Sequence, residues 1–395
     1  MLKRWRVARG EALVIAIMVA LTGFLFGIAV YRMIYDVPGS DYTVHVYYAH
    51  ALTAGQFSTS HILFQLVIIG LATILPISFE VAGLITGILF YVFAVVILYA
   101  LIRAVVDAKS LRGWLLVAGS AMALLFVMPI NLLTLAEHHL YFGYIGINVL
   151  HNPTIVVLKP TALLLFVFAM AVITQSIRLN LGTFILGIFL CVLSAFAKPS
   201  YVLDLLPVLL LVAAYRLVQR NFANVLALGL TLIVPIVICL AVQYQITYVL
   251  INDDTGIIFA PLASLYYWVP SYPDLAIRFV MSIVFPVVAY VLYFRQALRD
   301  RILNLAWLVF FSGAGQTYLL AESGPRLSFG NLWWSGQIAL FLLFTVTTVF
   351  CLRHFQDRPR WRAWVCVAVF LLCLVSGVIY YATQVQPQSS MFDWW

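Results

Sequence analysis

The sequence predicts an all-α, polytopic transmembrane helical bundle of about eleven spans, with juxtamembrane helices along its outer face. Three observations predict it. Hydrophobic residues make up 65% of the chain and charged residues only 9%, where a soluble domain is about a quarter charged, and the mean hydropathy is +1.06. Apolar runs of roughly 17 to 25 residues, long enough for a helix to cross a bilayer core, recur along the whole length and leave room for no separate soluble domain. Seventeen of the 22 Lys and Arg residues sit in short connections, namely Lys3/Arg4/Arg6/Arg9, Arg103/Lys109/Arg112, Arg178, Arg216/Arg220, Arg295/Arg299/Arg301 and Arg353/Arg358/Arg360/Arg362. That is a positive-inside signal, so the net charge of +8 orients the chain in a membrane and implies no nucleic-acid partner.

The basic N-terminus places the first span, 11–35, from cytoplasm to outside. It is too long for a signal-peptide core and lacks a small-residue cleavage site, so it reads as a retained anchor. Two crossings within 61–103 would throw every later basic cluster out of phase. The stretch 61–78 is therefore expected to lie in or dip into the outer leaflet, and 81–103 to span. Further spans follow at 114–133, 160–177, 181–197, 203–217, 223–247, 276–295, 303–320, 333–352 and 363–383, with the N-terminus inside and the C-terminus outside. Cys191, Cys239, Cys351, Cys366 and Cys373 fall in or at the ends of apolar runs, and neither a disulfide nor a metal cluster is expected of them.

On this topology the five remaining cations, Arg32, Lys159, Lys198, Arg278 and Arg326, lie at the outer face together with ten of the 14 carboxylates, which suggests a polar cavity there. Ser40 is an N-cap candidate, and Asp41 opens a short helix, 41–54, on which Asp41, His45 and Tyr48 share a face at i, i+4 and i+7. Asp41 reads either as a general base or as an acid that caps its helix. The loop running from Glu137, His138 and His139 to His151, Asn152 and Lys159 mixes titratable groups with aromatics, as a sugar site needs, or forms an interfacial aromatic belt. Lys198-Pro199-Ser200-Tyr201 is echoed by Lys159-Pro160-Thr161; each lysine either snorkels or meets an anion such as phosphate. The turn from Glu322 to Arg326 presents a guanidinium suited to phosphate, unless the two residues merely staple the loop. Asn252-Asp253-Asp254 reads as a solvated acidic pair or a weak divalent-cation site.

In this order the features resemble the GT-C class of integral-membrane glycosyltransferases, best over residues 11–217, with 218–395 as more variable C-terminal helices of one membrane domain. The resemblance rests on an acid early in a long first outer loop (Asp41), a His-Asn element in the second (His151, Asn152), Lys198-Pro199 at a helix end and a late outer arginine (Arg326). It implies an inverting hexosyl- or pentosyltransferase at the outer face of a bacterial-type inner membrane, with a polyprenyl-phosphate sugar as donor and a glycan, lipid or protein as acceptor. Asp41 would be the base, Lys198 and Arg326 the phosphate contacts, and His151 and Asn152 orienting residues. The first loop carries no Asp-x-Asp or Glu-Asp pair, so a divalent metal and other cofactors are not expected. Two other readings stand beside it: a lipid-linked polysaccharide polymerase or ligase, and a transporter or lipid flippase, which would place broken helices and polar groups in mid-membrane.

Overall fold

The computed structural model describes residues 7–37, 39–137, 139–251 and 255–386; His138, Asn252-Asp253-Asp254 and Asp393 lie outside the described residues. Helices, most of them apolar, make up the greater part of the described residues. The first four are α1 (Arg9–Tyr35), α2 (Asp41–Thr53), α3 (Leu63–Ile74) and α4 (Phe79–Arg103), followed by α5 (Leu111–Phe126), the single turn α6 (Leu132–Ala136), α7 (Pro153–Ile173), α8 (Leu181–Ala197) and α9 (Ser200–Val218). Next come α10 (Phe222–Leu228) and α11 (Val234–Tyr244), which π-helical stretches at Gly229–Ile233 and Gln245–Ile251 join and extend into one continuous helix. The chain ends with α12 (Ala263–Trp268), α13 (Tyr272–Leu292), α14 (Phe294–Arg299), α15 (Arg301–Leu319), α16 (Trp333–Arg353) and α17 (Trp361–Val385).

Among the described residues, nine helices are long and apolar enough to cross a membrane: α1, α4, α7, α9, the continuous helix Phe222–Ile251, α13, α15, α16 and α17. Of the eleven spans expected, those at 114–133 and 181–197 correspond to the shorter apolar helices α5 and α8. Between α1 and α4, where the sequence called for one crossing fewer, lie only α2 and α3. The 12 residues of α3 rise about 18 Å, well short of a bilayer core.

α7 and α16 form the centre and are apolar and buried nearly all round. α4, α8, α9, α13 and α15 pack against one or both of them, and α1, α5 and α17 close one side. Outward-facing apolar side chains such as Leu13, Phe24, Phe189, Leu211, Ile238 and Leu372 remain exposed, as lipid-facing surfaces require. α15 and α16 approach closely at Gly313, where a Cβ would sit 2.7 Å from the Ser335 carbonyl oxygen.

Two helix boundaries differ most from expectation. α5 ends at Phe126 rather than near 133, because Pro129 has no N–H and disfavours a helical residue before it. The released backbone is held by protein: Met128 N–H donates to the Cys373 carbonyl at 3.1 Å. α17 passes so near that a Cβ at Gly377 would lie 1.7 Å from the Phe126 carbonyl oxygen. α7 starts at Pro153 rather than 160, with Asn152 as N-cap, its Oδ1 accepting from Thr154 N–H at 3.1 Å and Ile155 N–H at 3.2 Å. Lys159-Pro160, expected just ahead of a span, is thereby drawn inside the helix.

A two-stranded antiparallel ribbon, β1 (Ile257–Phe259) with β2 (Leu320–Glu322), pairs Ile257 with Glu322. It ties the loop before α12 to the loop before α16 and so fixes where Glu322 and Arg326 stand.

Candidate active site

A cavity of about 670 Å³ opens at the end of the bundle where α7, α9 and α16 begin. Asp41, His45, Asn152, Lys198, Glu322 and Arg326 line it, brought together from separate parts of the chain.

Asp41 opens α2, and the Ser40 hydroxyl oxygen accepts from Thr43 N–H at 3.4 Å, the N-cap expected from sequence. Helical periodicity then carries His45 and Tyr48 to the same cavity. Asn152 Nδ2 donates to Asp41 Oδ2 at 2.6 Å. The Thr154 hydroxyl donates to Asn152 Oδ1 at 2.6 Å, and Lys198 Nζ donates to that hydroxyl oxygen at 3.0 Å. Four side chains thus form one chain of hydrogen bonds, donating in a single direction from the lysine cation to the Asp41 carboxylate. Such chains polarise one another in a low-dielectric setting.

Lys198 caps the end of α8 and is 6% exposed; its ammonium lies 4.7 Å from the centroid of the Trp334 ring. Burial lowers its pKa to about 8. His45 is also buried, and Gln65 Nε2 lies 2.6 Å from its Nδ1, so the amide donates there and the ring proton sits on Nε2. Burial lowers the His45 pKa to about 4, leaving a neutral imidazole. His151 Nε2 is 3.9 Å from Asp41 Oδ2, and burial again holds the ring's pKa down. The Asp41 contact is therefore with a neutral ring, despite an ion-pair distance.

Arg326 Nε approaches Glu322 Oε2 at 3.1 Å without hydrogen-bond alignment, and its guanidinium lies over the Phe329 ring. Tyr248 hydroxyl and Asn331 Nδ2 donate to the same carboxylate at 2.8 and 2.5 Å. The loop staple weighed from sequence is present, and it holds Arg326 at the cavity wall.

Five residues named from the sequence as substrate contacts do not line this cavity, and of these only His151 stands beside it, against Asp41. Glu137 is bound at 2.5 Å by the Arg278 guanidinium, which is fully buried and also donates to the Phe142 carbonyl at 2.6 Å. His139 packs edge-on against Phe142. Lys159 is 1% exposed inside α7, where its Nζ donates to Asn148 Oδ1 at 2.6 Å above the Phe341 ring. Tyr201 follows cavity-lining Ser200, but a helix turns about 100° per residue and sends its side chain into the core. His138 lies outside the described residues. Cutting Glu137 to Ala is expected to strand the buried Arg278 charge and destabilise the fold by about 2 kcal/mol. A thermal-unfolding midpoint equal to wild type in detergent would contradict this.

Thr154 and Asp204 were not singled out from sequence. Thr154 looks like an ordinary first-turn helix residue until the fold brings Lys198 to it. Asp204 lies one turn below Ser200 on α9 and is 0% exposed. Gln316 Nε2 donates to its Oδ1 at 3.1 Å, and Ser335, which lines the cavity, donates to Gln316 Oε1 at 3.1 Å. Its Oδ2 has no hydrogen-bond partner among the described residues. An acid inside an apolar run was the available signal.

All five cysteines are free, and among the described residues no three His, Cys, Asp or Glu side chains converge as metal ligands. Compared with known protein families and with curated proteins, the chain matches none.

Proposed function

We propose that this chain is a glycosyltransferase of the membrane, moving a sugar from a polyprenyl-phosphate donor to an acceptor hydroxyl in the assembly of a cell-surface glycan or glycolipid. The observation that carries this reading is the hydrogen-bonded path from Lys198 through Thr154 and Asn152 to Asp41, on the wall of a cavity that Arg326 also lines. A base and two cations around one cavity are what inverting transfer from a lipid phosphate requires.

In the step we infer, the acceptor oxygen attacks C1 of the sugar while the bond from C1 to the phosphate oxygen breaks. Asp41 takes the acceptor's proton. Asp41 Oδ1, which makes no hydrogen bond among the described residues, is the oxygen free to receive it. The lipid phosphate leaves with its bonding pair, and Lys198 and Arg326 stabilise the charge that grows on it. Attack opposite the leaving group inverts the anomeric carbon. Aromatic and imidazole faces at Tyr48, His45 and His61 offer stacking surfaces for a sugar ring. The resemblance to the GT-C class and the clustering of basic residues support an outward-facing site, a cytoplasmic N-terminus and eleven crossings.

The test is transfer itself. Membranes containing the chain, supplied with radiolabelled polyprenyl-phosphate sugars, are expected to move label into a lipid, glycan or protein acceptor, and membranes lacking it are not. Equal incorporation with and without the chain would overturn the reading. Transfer of single sugar units, rather than preassembled oligosaccharides, separates it from a polymerase or ligase.

The pH profile follows from Lys198. Its ammonium is protonated below about 8 and loses its charge as pH rises through that value, so kcat/KM for the donor is expected to fall about tenfold per unit above it. Lys198→Arg should remove that alkaline limb, because a guanidinium keeps its charge. A limb unchanged in the arginine variant would exclude Lys198 as its source.

A further inference from the structure

A second cavity, of about 630 Å³, lies at the opposite end of the bundle. α7 and α16 run between the two: Thr154 and Trp334 stand by Lys198, whereas Met170 and Phe350, near the other ends of these helices, line the second cavity.

Its wall is apolar, built from Leu101 of α4, Leu163 and Phe166 of α7, and Leu342 and Val346 of α16. The hydroxyls of Thr174 and Thr345 are already satisfied, the first by the Met170 carbonyl at 2.7 Å and the second by the Phe341 carbonyl at 2.9 Å. Its rim is cationic, carrying Arg299, Arg301 and Arg353. The acid between the first two is committed: Asp300 Oδ2 accepts from Arg353 at 2.7 Å, and Oδ1 caps α15 by accepting from Ile302 and Leu303 N–H at 3.0 and 2.9 Å. Arg299 and Arg301 are exposed and, among the described residues, their side chains make neither hydrogen bond nor ion pair.

We infer that this cavity binds an anionic phospholipid, the headgroup phosphate between Arg299 and Arg301 and an acyl chain along the apolar wall. Guanidinium forks suit phosphate oxygens, and basic pockets between membrane helices favour anionic headgroups. A soluble phosphate compound would leave the apolar wall uncovered. A zwitterionic lipid would bring a second cation to a rim whose one carboxylate is already engaged.

The experiment is lipid retention by the intact chain, read by native mass spectrometry after equilibration with equal amounts of phosphatidylglycerol and phosphatidylcholine. Wild type should retain phosphatidylglycerol about tenfold over phosphatidylcholine. The double variant Arg299→Gln/Arg301→Gln should bring the ratio close to one. Arg295→Gln/Arg362→Gln removes the same charge outside the cavity and should leave the preference in place. Ala171→Trp, which fills the cavity, should lower retention of both lipids. The inference is overturned if the first double variant keeps the preference, if the second abolishes it equally, or if glycerol 3-phosphate, which has no acyl chain, binds as tightly as the lipid.

Discussion

Replacing Asp41 with asparagine is expected to cut sugar transfer by roughly 10³-fold, within the range a positioned general base contributes, while the protein accumulates in membranes at its normal level. The substitution is conservative in shape. The amide oxygen of the new side chain can still accept from Asn152 Nδ2, which lies 2.6 Å from Asp41 Oδ2, and the residue remains compatible with the first turn behind the Ser40 cap. What disappears is the ability to take a proton. Donor affinity, measured by binding of the lipid-linked sugar without acceptor, should therefore stay within a few-fold of wild type. Asp41→Glu, which keeps the carboxylate but displaces it by one methylene, should fall between the two. Transfer by the asparagine variant within about threefold of wild type would rule out Asp41 as the base and leave it as a helix cap.

The second large effect is expected at Lys198, and it has two opposite signs. Lys198→Met should lower transfer by about 10² to 10³-fold, the usual cost of removing one preorganised partner of a developing oxyanion. The loss should appear in both kcat and donor KM. The same variant should unfold at a temperature equal to or above wild type. Among the described residues Lys198 has no ion-pair partner, only the Thr154 hydroxyl and the Trp334 face, and it is 6% exposed. A buried cation left in that state costs the fold stability until an anion arrives, and methionine fills similar space without that cost. A simple structural lysine would behave the other way, lowering stability and leaving transfer intact in the surviving protein. Measured together, the melting midpoint and the transfer rate therefore discriminate between the two roles.

Lys159 shows why such a discrimination was beyond the sequence. It shares its Lys-Pro pair with Lys198 and lies near a span boundary in the linear reading, so the two lysines looked alike. Their difference is one of helix phase and neighbour. Asn152 and Pro153 start α7 well ahead of the expected boundary, which winds Lys159 into the helix and against Asn148. Lys198 stays at the junction of α8 and α9, where the chain turns and its side chain can reach the cavity. Glu137 was misplaced for a similar reason: nothing local to it reveals Arg278, 141 residues away in the chain. The sequence placed His45 more accurately because its relation to Asp41 depends only on helical periodicity.

Composition, apolar run lengths and the distribution of arginine and lysine determined by themselves that this is an all-α membrane protein, that only short helices fit between its first long helix and the next, and that Asp41 opens the first of them behind a serine cap. These properties are local or statistical, set by helix period, capping and transfer free energy, so they are written in consecutive residues. Only the tertiary structure decided that Asn152 and Thr154 join Asp41 to Lys198, that the β1–β2 ribbon brings Arg326 to the same cavity, and that Asp204 lies beneath it. Those contacts span 44 to 112 residues of chain. They depend on which faces of α7, α9 and α16 pack inward, and no stretch of sequence carries that information alone.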